Sequence, residues 1–114
     1  MKISVITVTY NAEATISRTM ESVARQTYPS IEHVVIDGAS KDRTVAIARE
    51  YPAAVIVSEP DGGLYDAMNK GLKLATGDFV CFLNAGDKLH DEDTIARVAQ
   101  AILAVGDAAA VGVV

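Results

Sequence analysis

Two short apolar runs in this chain each end in an acid beside a glycine. Val34-Val35-Ile36 leads into Asp37-Gly38, and Phe79-Val80-Cys81-Phe82-Leu83 leads into Asn84-Ala85-Gly86-Asp87. Uninterrupted apolar stretches of this length are how strands buried on both faces of a parallel sheet read. In open α/β sheets, ligands lie beyond the carboxyl ends of such strands. Two acidic strand ends in one small chain therefore point to a shared polar pocket able to hold a cation and a phosphate-bearing ligand.

The rest of the chain alternates in the same way. Ile3 to Thr9 is β-rich and apolar and reads as a first strand, followed by Ala12 to Gln26 with Ile16, Met20 and Val23 on one helical face. Asn11 is placed to cap that helix, and Tyr28-Pro29-Ser30 ends it. Glu32 to Ile36 forms the second strand, and Asp42 caps a helix that stops near Tyr51-Pro52. Ala54 to Val57 is a third strand and Glu59 to Gly63 a loop. Leu64 to Ala75 is a helix whose apolar side carries Leu64, Ala67, Met68, Leu72 and Ala75, and Thr76-Gly77 closes it with a left-handed glycine. Asp78 to Leu83, a helix from His90-Asp91 to about Val105, and a strand from Ala108 to Val114 complete the order. This βαβαβαβαβ pattern predicts a doubly wound, mostly parallel sheet in three α/β/α layers with right-handed crossovers. An apolar run that reaches Val114 without a turn reads as the front half of a longer protein.

At 114 residues the chain suffices for one small domain. Its net charge of −5, with no Lys/Arg block, argues against nucleic-acid binding, which needs a basic footprint. The single cysteine, Cys81, lies inside an apolar strand and reads as a buried inert thiol, consistent with a reducing cytoplasm. Neither terminus carries a signal peptide or membrane-span pattern.

Glycine-rich dinucleotide and Walker motifs, H-E-x-x-H and G-x-S-x-G are all missing, which removes the best support for dehydrogenase, ATPase, zinc-protease and hydrolase readings. A hard cation such as Mg²⁺ or Mn²⁺ needs oxygen ligands, often only one or two carboxylates with substrate phosphates completing the shell. Asp87 at a strand end suits that role, against a plain turn aspartate. Asp37 offers acceptor oxygens to a base N–H or a ribose hydroxyl, against a turn role beside Gly38. Tyr10 can stack on a base or simply pack on the next helix. Asp61, before Gly62-Gly63, can bond a sugar or belong to an ordinary loop.

Together these segments resemble a known family. Ser4-Val5-Ile6-Thr7-Val8-Thr9-Tyr10-Asn11-Ala12-Glu13 resembles the opening of family 2 glycosyltransferases of the GT-A fold, a Rossmann-like nucleotide-binding architecture. Ser22-Val23-Ala24-Arg25-Gln26-Thr27-Tyr28-Pro29 is similar to their helix end. Val34 to Thr44 is similar to their aspartate-glycine-serine turn, and Ser58 to Gly71 to the bacterial surface-polysaccharide branch. The resemblance implies that residues 1–114 bind a nucleotide-diphosphate sugar and precede an acceptor-binding half that holds the general base. It implies donor contacts from Thr9, Tyr10, Asn11, Glu13, Asp37, Asp61 and Asn84, with Asp87 on a Mg²⁺ or Mn²⁺ ion. It further implies inverting transfer to a saccharide or lipid-linked saccharide at the cytoplasmic face of the cell membrane, with a homodimer as one arrangement.

The chain departs from the commonest family pattern at Gly38, where many members have a second aspartate. It departs again at Asn84 and Gly86, which replace acids, and at Met68, where many carry arginine. Without its second half the chain is expected to bind donor weakly and not to turn over. The alternatives are a non-catalytic nucleotide-sugar-binding or assembly module and, more remotely, a receiver-type signalling domain. The latter needs a pair of acids near the first strand, which Thr9-Tyr10-Asn11 does not offer.

Overall fold

The computed structural model describes residues 1–51, 54–105 and 111–113. Five strands and four helices alternate: β1 (Ile3–Thr9), α1 (Ile16–Ala24), β2 (Ile31–Asp37), α2 (Thr44–Ala48), β3 (Ala54–Ser58), α3 (Leu64–Leu74), β4 (Phe79–Phe82), α4 (Thr94–Val105) and β5 (Val111–Val113). The strands form one sheet in the order β3-β2-β1-β4-β5, and every pairing is parallel. The expected doubly wound α/β architecture is therefore present. The order turns between β1 and β4, which is where an open sheet of this kind forms a crevice at its carboxyl edge.

Side-chain alternation along β1 and β2 sorts the core into two faces. Ile3 and Val5 pack with Val23, Leu83, Leu89 and Ile95 under α1 and α4. Val35 meets Ile16, Met20 and Ala48 of α1 and α2 on that same side. Ile6, Val34 and Ile36 face the other way, against Ala67 of α3. Central strands covered on both faces need apolar residues at successive positions, which is why these runs read as continuous.

Several element boundaries differ from the sequence expectation. The first helix starts at Ile16, and Asn11 does not cap it: Asn11 sits at φ 46°, and its side-chain oxygen accepts from the Lys41 amide at 2.9 Å. On α3 the leucines are not the packing face. Leu64 and Leu72 are 51 % and 45 % exposed, while Ala67 and Gly71 are buried. A β-carbon on Gly71 would lie 2.5 Å from Ile6 Cγ2, so α3 approaches the sheet closely along a stripe of small residues and the large ones lie to the side.

Gly77 has no left-handed conformation. The helix ends at Ala75 with extended backbone, and Gly77 is required because a β-carbon there would meet Ser4 Oγ at 2.5 Å and Ser4 N at 2.7 Å. Helix α4 begins at Thr94, after a turn in which Asp91 accepts from the Asp93 amide. Asp42 is not the cap residue of α2 either: Arg43 holds that position without a side-chain cap bond, and Asp42, one residue earlier, accepts from the Thr44 amide at 2.9 Å. Of the expected last strand, residues 108–110 and 114 lie outside the described residues. No helix among the described residues is long and apolar enough to cross a membrane.

Candidate functional site

The carboxyl ends of the inner strands are stitched to one another beyond the regular ladder. Thr9 and Asp37 stand opposite each other in the β1–β2 register. The Gly38 amide donates to Thr9 O at 3.0 Å, the Glu59 amide to Asp37 O at 3.0 Å, and the Ala85 amide to Val8 O at 3.1 Å. Neighbouring strands lie about 4.8 Å apart. The turns that follow β2 and β4 therefore flank the end of β1 on its two sides.

A cavity of about 310 Å³ opens at this edge, lined by Val8, Thr9, Tyr10, Asp61, Gly63 and Leu64. Three of the expected donor residues, Thr9, Tyr10 and Asp61, meet there. Tyr10 is 59 % exposed and presents its ring. Thr9 is 4 % exposed, and its hydroxyl has no hydrogen-bond partner among the described residues. A buried hydroxyl left unpaired costs about 1–3 kcal/mol, so such a group marks a place where a ligand or water supplies the missing bond.

Asp61 accepts from the Gly63 amide through Oδ1 at 3.1 Å. Its Oδ2 lies only 2.9 Å from where a β-carbon on Gly38 would be, and the Tyr10 ring is 3.5 Å from the same point. The absence of a side chain at position 38 is thus what lets the Asp61 carboxylate sit over the β2 turn. Gly63, at φ 117°, adopts a conformation that side chains disfavour and delivers the chain into the first turn of α3.

Asp37 is placed differently. It is fully buried, and its carboxylate accepts from the Ser40 amide at 2.8 Å, from the Ser58 hydroxyl at 2.8 Å and from the Ser40 hydroxyl. Its oxygens face its own turn, and it does not line the cavity. Asn11 and Glu13 are likewise engaged in a clasp between two loops. The Asn11 amide donates to Ser40 Oγ, the Arg43 amide donates to Glu13 Oε2, and the Glu13 amide donates to Asp42 Oδ2. The Thr44 hydroxyl beside Asp42 holds that carboxyl below its ordinary range.

Asn84 to Asp87 form a tight turn in which the Asp87 amide donates to Asn84 O at 3.0 Å and Gly86 takes φ 97°. The side chains of Asn84 and Asp87 are exposed. No group of three or more His, Cys, Asp or Glu side chains able to hold a metal occurs among the described residues. Asp87 and Asn84 still fit a hard cation, because oxygen donors on an open turn are what Mg²⁺ or Mn²⁺ takes when phosphates fill the remaining positions. Cys81 is buried, and burial raises its thiol pKa, so it is not a nucleophile.

Sequence reasoning missed the residues that build this edge from behind. Thr19 and Ser22 on α1 and Gln26 just past its end continue one polar stripe beside the apolar face, and each binds the segment from Gly86 to Ile95. A polar stripe next to an apolar one was the available signal. Ser40 and Ser58, which hold Asp37, lie 18 residues apart in sequence and could be paired only by the fold.

The family model for glycosyl transferase family 2 matches residues 4–114. The chain is 43 % identical over 101 residues to a PGL/p-HBAD biosynthesis glycosyltransferase of Mycobacterium tuberculosis, covering 84 % of this chain and 40 % of that protein. Among solved structures, Staphylococcus aureus TarS 1-349 in complex with UDP-GlcNAc aligns with a TM-score of 0.86 at 33 % identity, covering 91 % of this chain and 32 % of that one. Mannosyltransferase PcManGT from Pyrobaculum calidifontis, in complex with GDP-Man and Mn²⁺, aligns with a TM-score of 0.83 at 30 % identity, covering 89 % and 32 %. The chain spans about two fifths of the length of the curated relatives it matches. A doubly wound sheet with a cavity at its carboxyl edge, matched by the family model over residues 4–114, makes this chain a member of glycosyltransferase family 2.

Proposed function

We propose that residues 1–114 form the donor-binding part of an inverting glycosyltransferase that moves a sugar from a nucleotide-diphosphate sugar to an acceptor hydroxyl in polysaccharide biosynthesis. The observation that carries this reading is the cavity at the end of β1, where a buried hydroxyl without a partner, an exposed tyrosine ring and a carboxylate converge. These are the chemical needs of a nucleoside: a face to stack on and a few polar contacts. The neighbouring solved structures hold UDP-GlcNAc and GDP-Man, which supports a nucleotide sugar as the ligand class.

In this reading Tyr10 stacks on the base, and the Thr9 hydroxyl and Asp61 Oδ2 meet polar atoms of base or ribose. Asp37 shapes the pocket through the Gly38–Ser40 turn, and the clasp of Asn11 and Glu13 on residues 40–44 keeps that turn in place. Asp87, with Asn84, would supply oxygen ligands to a Mg²⁺ or Mn²⁺ ion that accompanies the donor diphosphate. When bound, such an ion supplies Lewis-acid neutralisation of the departing diphosphate. Deprotonation of the acceptor hydroxyl needs a base. That base, the saccharide or lipid-linked acceptor site and any membrane-facing surface are assigned to the portions of the relatives that this chain does not match.

Calorimetric titration of UDP and GDP into the protein, with and without Mn²⁺, tests the assignment. Mn²⁺ is expected to tighten diphosphate binding at least tenfold in the native sequence and not in Asp87→Ala. Thr9→Val is expected to weaken the nucleotide whether or not metal is present. Enhancement by Mn²⁺ that survives loss of Asp87, or an affinity indifferent to Thr9, would sink the reading.

A further inference from the structure

We propose that Thr19, buried on α1, is the positioning residue of the cation site at Asp87. This rests on the reading of Asp87 as the cation's carboxylate. Thr19 is fully buried among apolar neighbours of its helix, Ile16, Met20 and Val23, yet it carries a hydroxyl. That hydroxyl accepts from the Gly86 amide at 2.9 Å and donates to Asp87 O at 2.6 Å. The Asp87 amide is held in turn by Asn84 O. The backbone on both sides of the acid is therefore tied down, and Gly86 is kept at a φ of 97° that an untethered turn would readily leave. What remains adjustable is the side chain of Asp87, whose reach is set by where Thr19 puts its backbone.

The neighbouring polar residues, Ser22 on α1 and Gln26 just past its end, do not share this task. Ser22 accepts from the Leu89 amide, and Gln26 binds Asp91 O and the Ile95 amide, all further along the segment. They hold the loop as a whole, whereas Thr19 alone among the three touches the residue that carries the carboxylate. Groups that orient a metal ligand through its own hydrogen bonds change metal affinity by about ten- to a hundredfold when removed.

The decisive comparison sets the native sequence beside Thr19→Val, Thr19→Ser, Ser22→Ala and Asp87→Ala. Free Mn²⁺ is followed by electron paramagnetic resonance in the presence of UDP, and UDP affinity is measured separately without metal. Thr19→Val keeps the shape of the side chain and removes both bonds. It is expected to weaken Mn²⁺ binding at least tenfold, to leave metal-free UDP binding within twofold, and to speed hydrogen exchange at the Gly86 amide. Thr19→Ser restores the hydroxyl and is expected to bring Mn²⁺ affinity back to within about threefold of native, which separates positioning from misfolding.

Native Mn²⁺ affinity in Thr19→Val, no recovery in Thr19→Ser, or an equal loss in Ser22→Ala overturns the proposal while leaving Asp87 as ligand. A native protein that takes up no Mn²⁺ with UDP, or an Asp87→Ala protein that takes it up unchanged, overturns the reading beneath it as well.

Discussion

At the amino ends of the strands, polar groups satisfy one another; at the carboxyl ends, one buried hydroxyl has no partner among the described residues. Below the sheet, Glu32 accepts from the Ser4 hydroxyl, the Thr76 amide and the Thr76 hydroxyl, and pairs with Lys2 at 3.5 Å. Burial alone would raise its pKa, but these donors outweigh it and bring the carboxyl down to about 2. The Gly77 amide adds a bond to Ser4 Oγ, closing the network. Above the sheet, Thr9 has a buried hydroxyl without a partner, Tyr10 exposes its ring, and Asn11 and Ala39 take positive φ. Among the described residues one end of the sheet completes its buried side-chain hydrogen bonds and the other leaves that of Thr9 open, the kind of local inconsistency that marks a candidate ligand-binding edge.

The contrast can be broken by exchanging the behaviour of the two ends. Asp37 lies at the upper edge but is wired like the lower one. Asp37→Ala removes three bonds to a buried carboxylate and is expected to lower unfolding stability by about 4 kcal/mol in chemical denaturation. Asp61→Ala, over the turn that follows Asp37, is expected to leave stability within about 0.5 kcal/mol while weakening nucleotide binding. Equal stability of the two variants would show that the upper edge is not divided in this way.

A pH scan sharpens the comparison next. His33 is buried, bonded to the Thr7 hydroxyl at 2.8 Å, and burial lowers its pKa from 6.5 to about 4. Between those values the unfolded chain takes up a proton that the folded chain refuses. Stability is therefore full above pH 6.5 and falls as the pH drops toward 4, by roughly 3 kcal/mol in all. Denaturation midpoints measured across that range should slope for the native sequence and flatten for His33→Asn. Glu32 adds a separate loss only further down, as pH falls from its ordinary 4.5 toward 2.

Smaller effects follow at each end. Gly77→Ala forces a β-carbon against Ser4 and the Lys2 carbonyl, and should cost about 2 kcal/mol of stability with no change in nucleotide affinity. Tyr10→Ala should do the reverse. Loss of an exposed stacking ring is expected to weaken UDP or GDP by about 1–2 kcal/mol and leave the unfolding midpoint unmoved. A Tyr10→Ala protein that unfolds earlier, or a Gly77→Ala protein that binds less, would blur the division.

Much of the fold was legible because central parallel strands announce themselves as apolar runs, and Val34 to Ile36 and Phe79 to Leu83 could hardly be anything else. Helix ends were less legible. Asn11 has the chemistry of a cap, but its side chain is claimed by Lys41 thirty residues away, and no local rule sees that competition. The apolar helical face read from the sequence held Ala67 together with Leu64 and Leu72; Ala67 packs as read, but Gly71 takes the contact in place of the leucines because α3 presses too close to Ile6 for larger groups. At the cavity, Tyr10 and Asp61 could be named from residue type and position and Thr9 from the family resemblance, whereas the engagement of Asp37, Asn11 and Glu13 by their own loops could not be read.

The order of apolar runs and breaks determined, by itself, that this chain would wind into a parallel sheet and that Asp37 and Asp87 would follow the carboxyl ends of two of its strands. Burial of period and turn chemistry are local properties, and local properties survive in a string of letters. Which carboxylate would end up beside the cavity, which would be sealed beneath it, and that a hydroxyl on α1 would hold the turn of Asp87 were decided only when β1 was flanked by β2 and β4. Those outcomes depend on distances between residues far apart in the chain, and only packing sets such distances.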